Sequence, residues 1–70
     1  MGEKSYAFYW AQDVVSGMNH DERDLLAVNW VLRWMQREGR DPEEESVGNM
    51  VDEMKPDFEK YLEKRSEKRT

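Results

Sequence analysis

The apolar residues of this 70-residue chain recur at intervals of three and four, and this spacing constrains the fold more than any other feature. Such intervals place side chains on one face of an α-helix, whereas a half-buried strand alternates at every second residue. No stretch alternates in that way, and Val, Ile and Thr, which favour strands, are few. The sequence therefore predicts a small all-α bundle of three helices, or of four if Pro56 breaks the last one.

Capping signals set the expected bounds of the first two helices. The first helix is predicted over about Ser5 to Ser16, with Ser5 as its N-cap. Gly17 suits the left-handed position that follows a last turn. The second helix is predicted over Asp21 to Glu38, with Asn19 as its N-cap and Gly39 just beyond its end.

The third helix has a proline near its start and another within its apolar seam. Asp41 and Pro42 resemble an N-cap and a first helical residue, and residues 43–45 are all Glu, which a helix N-terminus favours. The seam continues past Pro56 at steps of four and three, although a proline removes a helical hydrogen bond. We expect a sharp bend or short break there rather than one uninterrupted helix.

The second helix is apolar on most of its sides, which is typical of the central element of a bundle. We therefore predict that it lies between the other two. The expected core takes one face of each helix. Its members are Ala7, Trp10, Ala11, Val14, Val28, Val31, Leu32, Met35, Val47, Val51, Met54, Phe58, Tyr61 and Leu62.

The net charge of −5 is unevenly distributed. Residues 38–59 contain nine acids and two bases, whereas residues 60–70 contain two acids and five bases. One helix from Asp41 to Thr70 would explain this polarity, because acids favour its start and bases its end. The length allows one domain, over residues 1–70, with residues 1–4 and about 66–70 expected to fray.

Catalytic and metal-binding motifs are weak in this chain. There is no cysteine, and the single histidine, His20, has no second His or Cys as a co-ligand. Glu43, Glu44 and Glu45 are better explained by the helix dipole than by a cation. We therefore predict a non-enzymatic protein without metal, cofactor or small-molecule substrate. A signal-peptide pattern and a membrane-length apolar run are both missing, so we expect a cytoplasmic protein that does not bind membranes.

A strip on the second helix is the best candidate for partner binding. Leu26, Trp30 and Trp34 are spaced i, i+4 and i+8, and Arg33 and Arg37 flank them. Aromatic residues and Arg dominate interface hot spots. We predict a protein-interaction module or small accessory subunit that uses this strip to form a homodimer or to bind another protein. Burial in the core is the alternative for Trp30, and it is favoured for Trp34.

Two nucleic-acid-related functions are alternatives, although the net charge makes direct binding unfavourable. A helix-turn-helix-like binder would use a polar stripe and the basic tail: Asn29, Arg33, Gln36, Arg37, Lys60, Lys64, Arg65, Lys68 and Arg69. An acidic nucleic-acid mimic acting on a basic partner would use Glu38, Asp41, Glu43, Glu44, Glu45, Asp52, Glu53, Asp57 and Glu59.

Overall fold

Three α-helices account for the regular structure of the chain. The structure is a computed structural model that describes the backbone of residues 2–69 and the side chains of residues 6–66. The helices are α1 (Gly2–Gly17), α2 (Leu25–Glu38) and α3 (Val47–Arg69), and the described residues contain no strand. The predicted all-α three-helix bundle is confirmed.

The central helix is α1, so the prediction that the second helix occupies this position is wrong. Cα atoms of α1 come within 8 Å of both α2 and α3, but in the described residues no pair of Cα atoms between α2 and α3 is that close. The reason lies in side-chain size. The buried face of α1 includes Ala11, Val14 and Val15, which allow close approach, whereas large aromatic rings separate α2 from α3.

The predicted core is largely confirmed. Eight of its members are buried: Trp10, Ala11, Val14, Val28, Val31, Met35, Met54 and Phe58. The others are only half-buried: Ala7, Leu32, Val47, Val51, Tyr61 and Leu62. The buried set also contains Trp34, for which the sequence favoured burial, and four residues missing from the prediction, namely Val15, Met18, Ala27 and Met50.

Helix α1 begins before Ser5, so the predicted start is wrong. It ends at Gly17, one residue beyond the predicted end, and Gly17 is helical rather than left-handed. The left-handed residue is instead Asn19, with φ of 61°. Gly17 is required for packing, because a Cβ there would lie 2.8 Å from Cγ2 of Val51. The glycine allows the end of α1 to approach α3.

Helix α2 starts four residues later than predicted, because Asp24 rather than Asn19 is its N-cap. The Asp24 carboxylate accepts hydrogen bonds from the amides of Leu26 and Ala27, at 3.1 and 3.2 Å. The predicted end is confirmed: Gly39 has φ of 69°, and its amide bonds back to the last turn.

Helix α3 also starts later than predicted. Ser46 accepts hydrogen bonds from amides in the first turn of the helix, those of Asn49 and Met50. Asp41 accepts hydrogen bonds from the amides of Glu43 and Glu44, which form a separate turn before the helix. Residues 43–45 precede the helix and do not occupy its first turn. The prediction that one helix beginning at Asp41 accounts for the distribution of charge is therefore wrong.

Pro56 lies inside a single helix, which also corrects the expected break and the four-helix alternative. Met54 and Phe58 on either side of it are fully buried, so packing maintains the helical register across the proline. The predicted fraying stays a prediction. The backbone of residues 2–4 and 66–69 is helical, and Met1 and Thr70 lie outside the described residues.

Candidate functional site

Aromatic side chains fill the space between α2 and α3. Trp30 of α2 stacks on Tyr61 of α3, with 5.3 Å between ring centroids and 21° between ring planes. It also meets Phe58 edge-on at 5.4 Å. Because the two backbones stay apart, these rings form the floor of an open groove, and Trp30 is only half-buried.

Two shallow depressions flank Trp30, and together they define what we call the α2–α3 groove. One, of about 220 Å³, is lined by Leu26, Asn29, Trp30, Arg33 and Tyr61. The other, of about 260 Å³, is lined by Trp30, Asp57, Lys60, Tyr61 and Lys64. The groove therefore combines an aromatic floor with cationic walls.

The structure divides the predicted partner-binding strip. Leu26 is 62% exposed and lies in the groove beside Trp30. Arg33 lines the same depression, and Arg37 is exposed one turn further along α2. Trp34 is only 6% exposed and belongs to the core. The exposed part of the strip therefore consists of Leu26, Trp30 and Arg33. Trp34 lies beneath this surface, in the core.

Trp34 attaches α2 to the wall of the groove on α3. Its indole Nε1 donates a hydrogen bond to Oδ2 of Asp57 at 3.2 Å. The guanidinium of Arg40 lies 5.8 Å from the centroid of the Trp34 ring. The hydrogen bond from Trp34 therefore directs Asp57 towards α2. Among the residues that line the groove, Asp57 is the single acid.

Known protein families, curated proteins and solved structures show no match to this chain. Its geometry therefore carries the functional argument. Over the described residues, none of the helices has the length and apolar character of a membrane span.

One end of the groove is fixed by a polar cluster around Asp24. Oδ2 of Asp24 accepts hydrogen bonds from Nε2 of His20 at 2.9 Å and from Arg65 at 3.0 Å. The His20 bond is the main cause that lowers the pKa of Asp24 to about 2; burial opposes it, and bonds from Arg65 and the Ala27 amide lower the pKa further. The His20 ring packs edge-on against Phe58 at 5.5 Å.

The other end is fixed by Arg40, which precedes the turn between α2 and α3. Its guanidinium donates two hydrogen bonds to Glu45 and two to Glu53, at 2.9 to 3.1 Å. The bonds that Arg40 donates to Glu53, and to a smaller extent those to Glu45, raise the pKa of Arg40 above its usual range. The same contact lowers the pKa of Glu53. Arg40 therefore ties the interhelical turn to the second turn of α3.

The predicted partner-binding strip lacked the part of the groove that α3 contributes, although the nucleic-acid alternative named Lys60 and Lys64. Tyr61 is a predicted core residue, yet its half-buried ring is also part of the groove floor. Lys60 and Lys64 are one helical turn apart on either side of it, and this i, i+4 spacing around an aromatic residue is the available signal. Among the described side chains, no group of three His, Cys, Asp or Glu converges as metal ligands would.

Proposed function

We propose that this chain is a non-enzymatic protein-interaction module or small accessory subunit that binds a partner at the α2–α3 groove. The observation that carries the proposal is the exposure of Leu26, at 62%, beside the half-buried Trp30 and Tyr61 stack. Partly exposed aromatic residues next to Arg are typical of the few positions that dominate binding energy. The rings are positioned by intramolecular contacts, so little ordering cost accompanies binding.

The shape and lining of the groove favour a protein surface over a small substrate. The depressions are shallow and open, whereas small-molecule sites are enclosed. The residues that line them include no Ser, Thr, Cys or His, the side chains that form the common nucleophile and base pairs of covalent catalysis.

The charge of the groove favours binding of a different protein over a symmetric dimer in which the grooves of two copies face each other. In a two-fold dimer each patch meets its own copy. Arg33, Lys60 and Lys64 would then face the same cations, and like charges across an interface are unfavourable. Groove-to-groove dimerisation is therefore the weaker form of the proposal.

Leu26 and its neighbour Leu25 allow a matched test. Both are about equally exposed, at 62% and 60%, but only Leu26 lines the groove. We expect Leu26→Ser to weaken binding of the partner, and Leu25→Ser to leave it unchanged. Exposed sites of this kind change stability by about 0.5 kcal/mol or less, so both variants should melt like the wild type.

The measurement compares three immobilised baits, wild type, Leu26→Ser and Leu25→Ser, in extract of the source cells, with captured proteins quantified by mass spectrometry. A protein that is lost only from the Leu26→Ser bait supports the proposal, once its direct binding shows the same difference by calorimetry. Equal capture by both variants, together with a monomer by light scattering over about a hundredfold concentration range, would contradict it.

Direct nucleic-acid binding is a second proposal, because the groove places Arg33, Lys60 and Lys64 around two aromatic rings. Its test is titration with a labelled oligonucleotide, in which affinity must fall steeply as salt rises. The acidic mimic has less support, since Glu45 and Glu53 are paired with Arg40 and Asp57 with Trp34. It would require salt-sensitive binding of a basic protein.

A further inference from the structure

We infer that the occupant of the α2–α3 groove is an acidic amphipathic helix of a partner protein, an inference that rests on the proposed function. Its apolar side chains would lie on Leu26 and Trp30, and its carboxylates would meet the cations on the two walls. A groove between two helices that takes the apolar face of a third is a recurring mode of peptide recognition.

The charge of the groove is opposite to that of the molecule. The chain carries −5 overall, yet the groove is lined by Arg33, Lys60 and Lys64 against one acid, Asp57. Asp57 already accepts a hydrogen bond from Trp34. The groove is therefore a local positive site on an acidic protein, and it complements an anionic ligand.

Helical geometry keeps other acids away from the floor of the groove. At 3.6 residues per turn, Glu59 and Glu63 lie about 160° around α3 from Tyr61, on its opposite side. On α2, no acid occurs between Leu25 and Arg37. The cations that line the groove are thus Arg33 on α2 and, one turn apart, Lys60 and Lys64 on α3.

The spacing of these groups fits a short helix. Leu26 and Arg33 are seven residues apart on α2, which corresponds to about 10 Å along the axis. Lys60 and Lys64 are separated by about 6 Å on α3. A partner helix with apolar residues at i and i+4 and carboxylates beside them can contact Leu26, Trp30 and the cations within two to three turns.

The observations favour a peptide over a single-stranded nucleic acid. Trp30 and Tyr61 stack on each other, so their facing ring surfaces are occupied by one another and not free for bases. Leu26 adds an apolar contact that bases do not require.

The experiment uses two synthetic helical peptides of about four turns. They share the same Leu positions, and the remaining positions are mostly Glu in one and mostly Lys in the other. Fluorescence anisotropy of each labelled peptide measures its binding to the whole chain. We expect the Glu peptide to bind roughly tenfold more tightly than the Lys peptide, with an advantage that shrinks as salt rises.

Charge reversal locates this preference. Lys60→Glu/Lys64→Glu should weaken the Glu peptide roughly tenfold or more and strengthen the Lys peptide. The matched control is Arg23→Glu/Lys55→Glu, which changes the net charge equally at exposed residues that do not line the groove. It should have little effect. All four positions are exposed, and circular dichroism melting verifies that each variant folds.

Failure of this inference is distinguishable from failure of the proposed function. Equal binding of both peptides, or equal weakening by both charge-reversal variants, overturns the acidic occupant. If Leu26→Ser still loses its partner in that case, the docking surface stands. If the Glu peptide binds Leu26→Ser and Leu25→Ser equally, the groove itself is not the site.

Two further results would also overturn the inference by identifying another occupant. Tighter binding of an oligothymidylate than of the Glu peptide, lost in the Lys60→Glu/Lys64→Glu variant, would assign the groove to nucleic acid. A dimer in light scattering that the same variant abolishes would assign it to the acidic 38–59 segment of a second copy.

Discussion

At the residue scale, Asp24 shows how one carboxylate can join three parts of a small fold. It caps α2 through two backbone amides, and it also accepts bonds from His20 in the preceding turn and Arg65 on α3. Asn19 is the predicted cap, although Asp21 and Asp24, which lie within the same six residues, also have side chains that can cap a helix. Asn and Asp have nearly equal preferences for the N-cap position. The hydrogen bond from the distant Arg65 therefore favours Asp24. The local sequence does not indicate this partner.

The acid stability of the protein should depend on Asp24. Its pKa is about 2 in the fold, against 3.8 for the ordinary group, so the unfolded chain takes up the proton at higher pH. The stabilisation is therefore complete above about pH 4 and is lost as pH falls towards 2. Asn caps helices as well as Asp does, so Asp24→Asn removes mainly the charge. We expect it to cost about 1–2 kcal/mol at pH 7 and much less near pH 2.

Urea unfolding between pH 7 and pH 2 measures this difference. The exposed Asp52 on α3 provides the control, and the curve of Asp52→Asn should run parallel to that of the wild type. If the curve of Asp24→Asn also ran parallel to the wild type, the ionised Asp24 would not be the origin of the acid sensitivity.

Gly17 should tolerate substitution less well than Gly48, although both lie in helices. A methyl group added at position 17 would lie 2.8 Å from Cγ2 of Val51, on a short and stiff side chain, while a methyl group at position 48 meets nothing within 4 Å. We expect Gly17→Ala to lose about 1–3 kcal/mol and Gly48→Ala to gain up to about 1 kcal/mol. Thermal melting of both variants measures this.

A double-mutant cycle with Val51→Ala tests the assigned cause. Removing the Val51 methyl groups should recover part of the Gly17→Ala loss, so the two changes should not be additive. Strict additivity would mean that the cost of Gly17→Ala arises elsewhere.

At the scale of helices, spacing predicted the middle of each element and Gly39 the end of α2, whereas tertiary contacts decided where α2 and α3 begin. The segment Asp41-Pro42-Glu43 has a helix-start pattern, yet it forms a separate turn. Arg40 bonds both Glu45 and Glu53, which draws the turn against the side of α3 instead of extending the helix. The pairing of Arg40 with Glu53, which are 13 residues apart in the sequence, is invisible to rules for local capping.

Pro56 illustrates the same competition in the opposite direction. It lacks an amide hydrogen and should weaken α3 locally, but the helix continues because Met54 and Phe58 are buried in one register. Replacement of this exposed proline by Ala restores the missing bond. After allowance for the greater freedom of the unfolded chain, we expect Pro56→Ala to stabilise the fold by about 1–2 kcal/mol.

The control for this change is Lys55→Ala at the adjacent exposed position, which should shift stability by about 0.5 kcal/mol or less. The midpoint of thermal unfolding reports both. A Pro56→Ala variant that melts at or below the wild-type temperature would mean that the proline suits a bend in α3.

At the scale of the whole molecule, the sequence predicted the helical class and most of the core but not the arrangement. The many apolar sides of α2 suggested a central helix, and α1 is central because Ala11, Val14 and Val15 permit close packing on both neighbours. The groove follows from this arrangement. Leu26, Trp30 and Arg33 could be proposed from one helix, and the nucleic-acid alternative named Lys60 and Lys64. The placement of α2 and α3 is what brings these cations and Tyr61 into one groove.

A central α1 should also be the most stable part of the molecule. In the part of the chain that the structure describes, the backbones of α2 and α3 each pack on α1, and long side chains such as Trp30 and Trp34 join α2 to α3. Either helix can therefore loosen while α1 retains one neighbour. Amides in α1 around Val14 and Val15 should therefore exchange with solvent more slowly than any in α2 or α3. Native-state hydrogen exchange followed by NMR measures this directly. If the amides that exchange most slowly were in α2, then α2 would be the most stable helix, although its backbone packs closely on α1 alone. The side chains that form the groove floor would in that case be the main support of the fold.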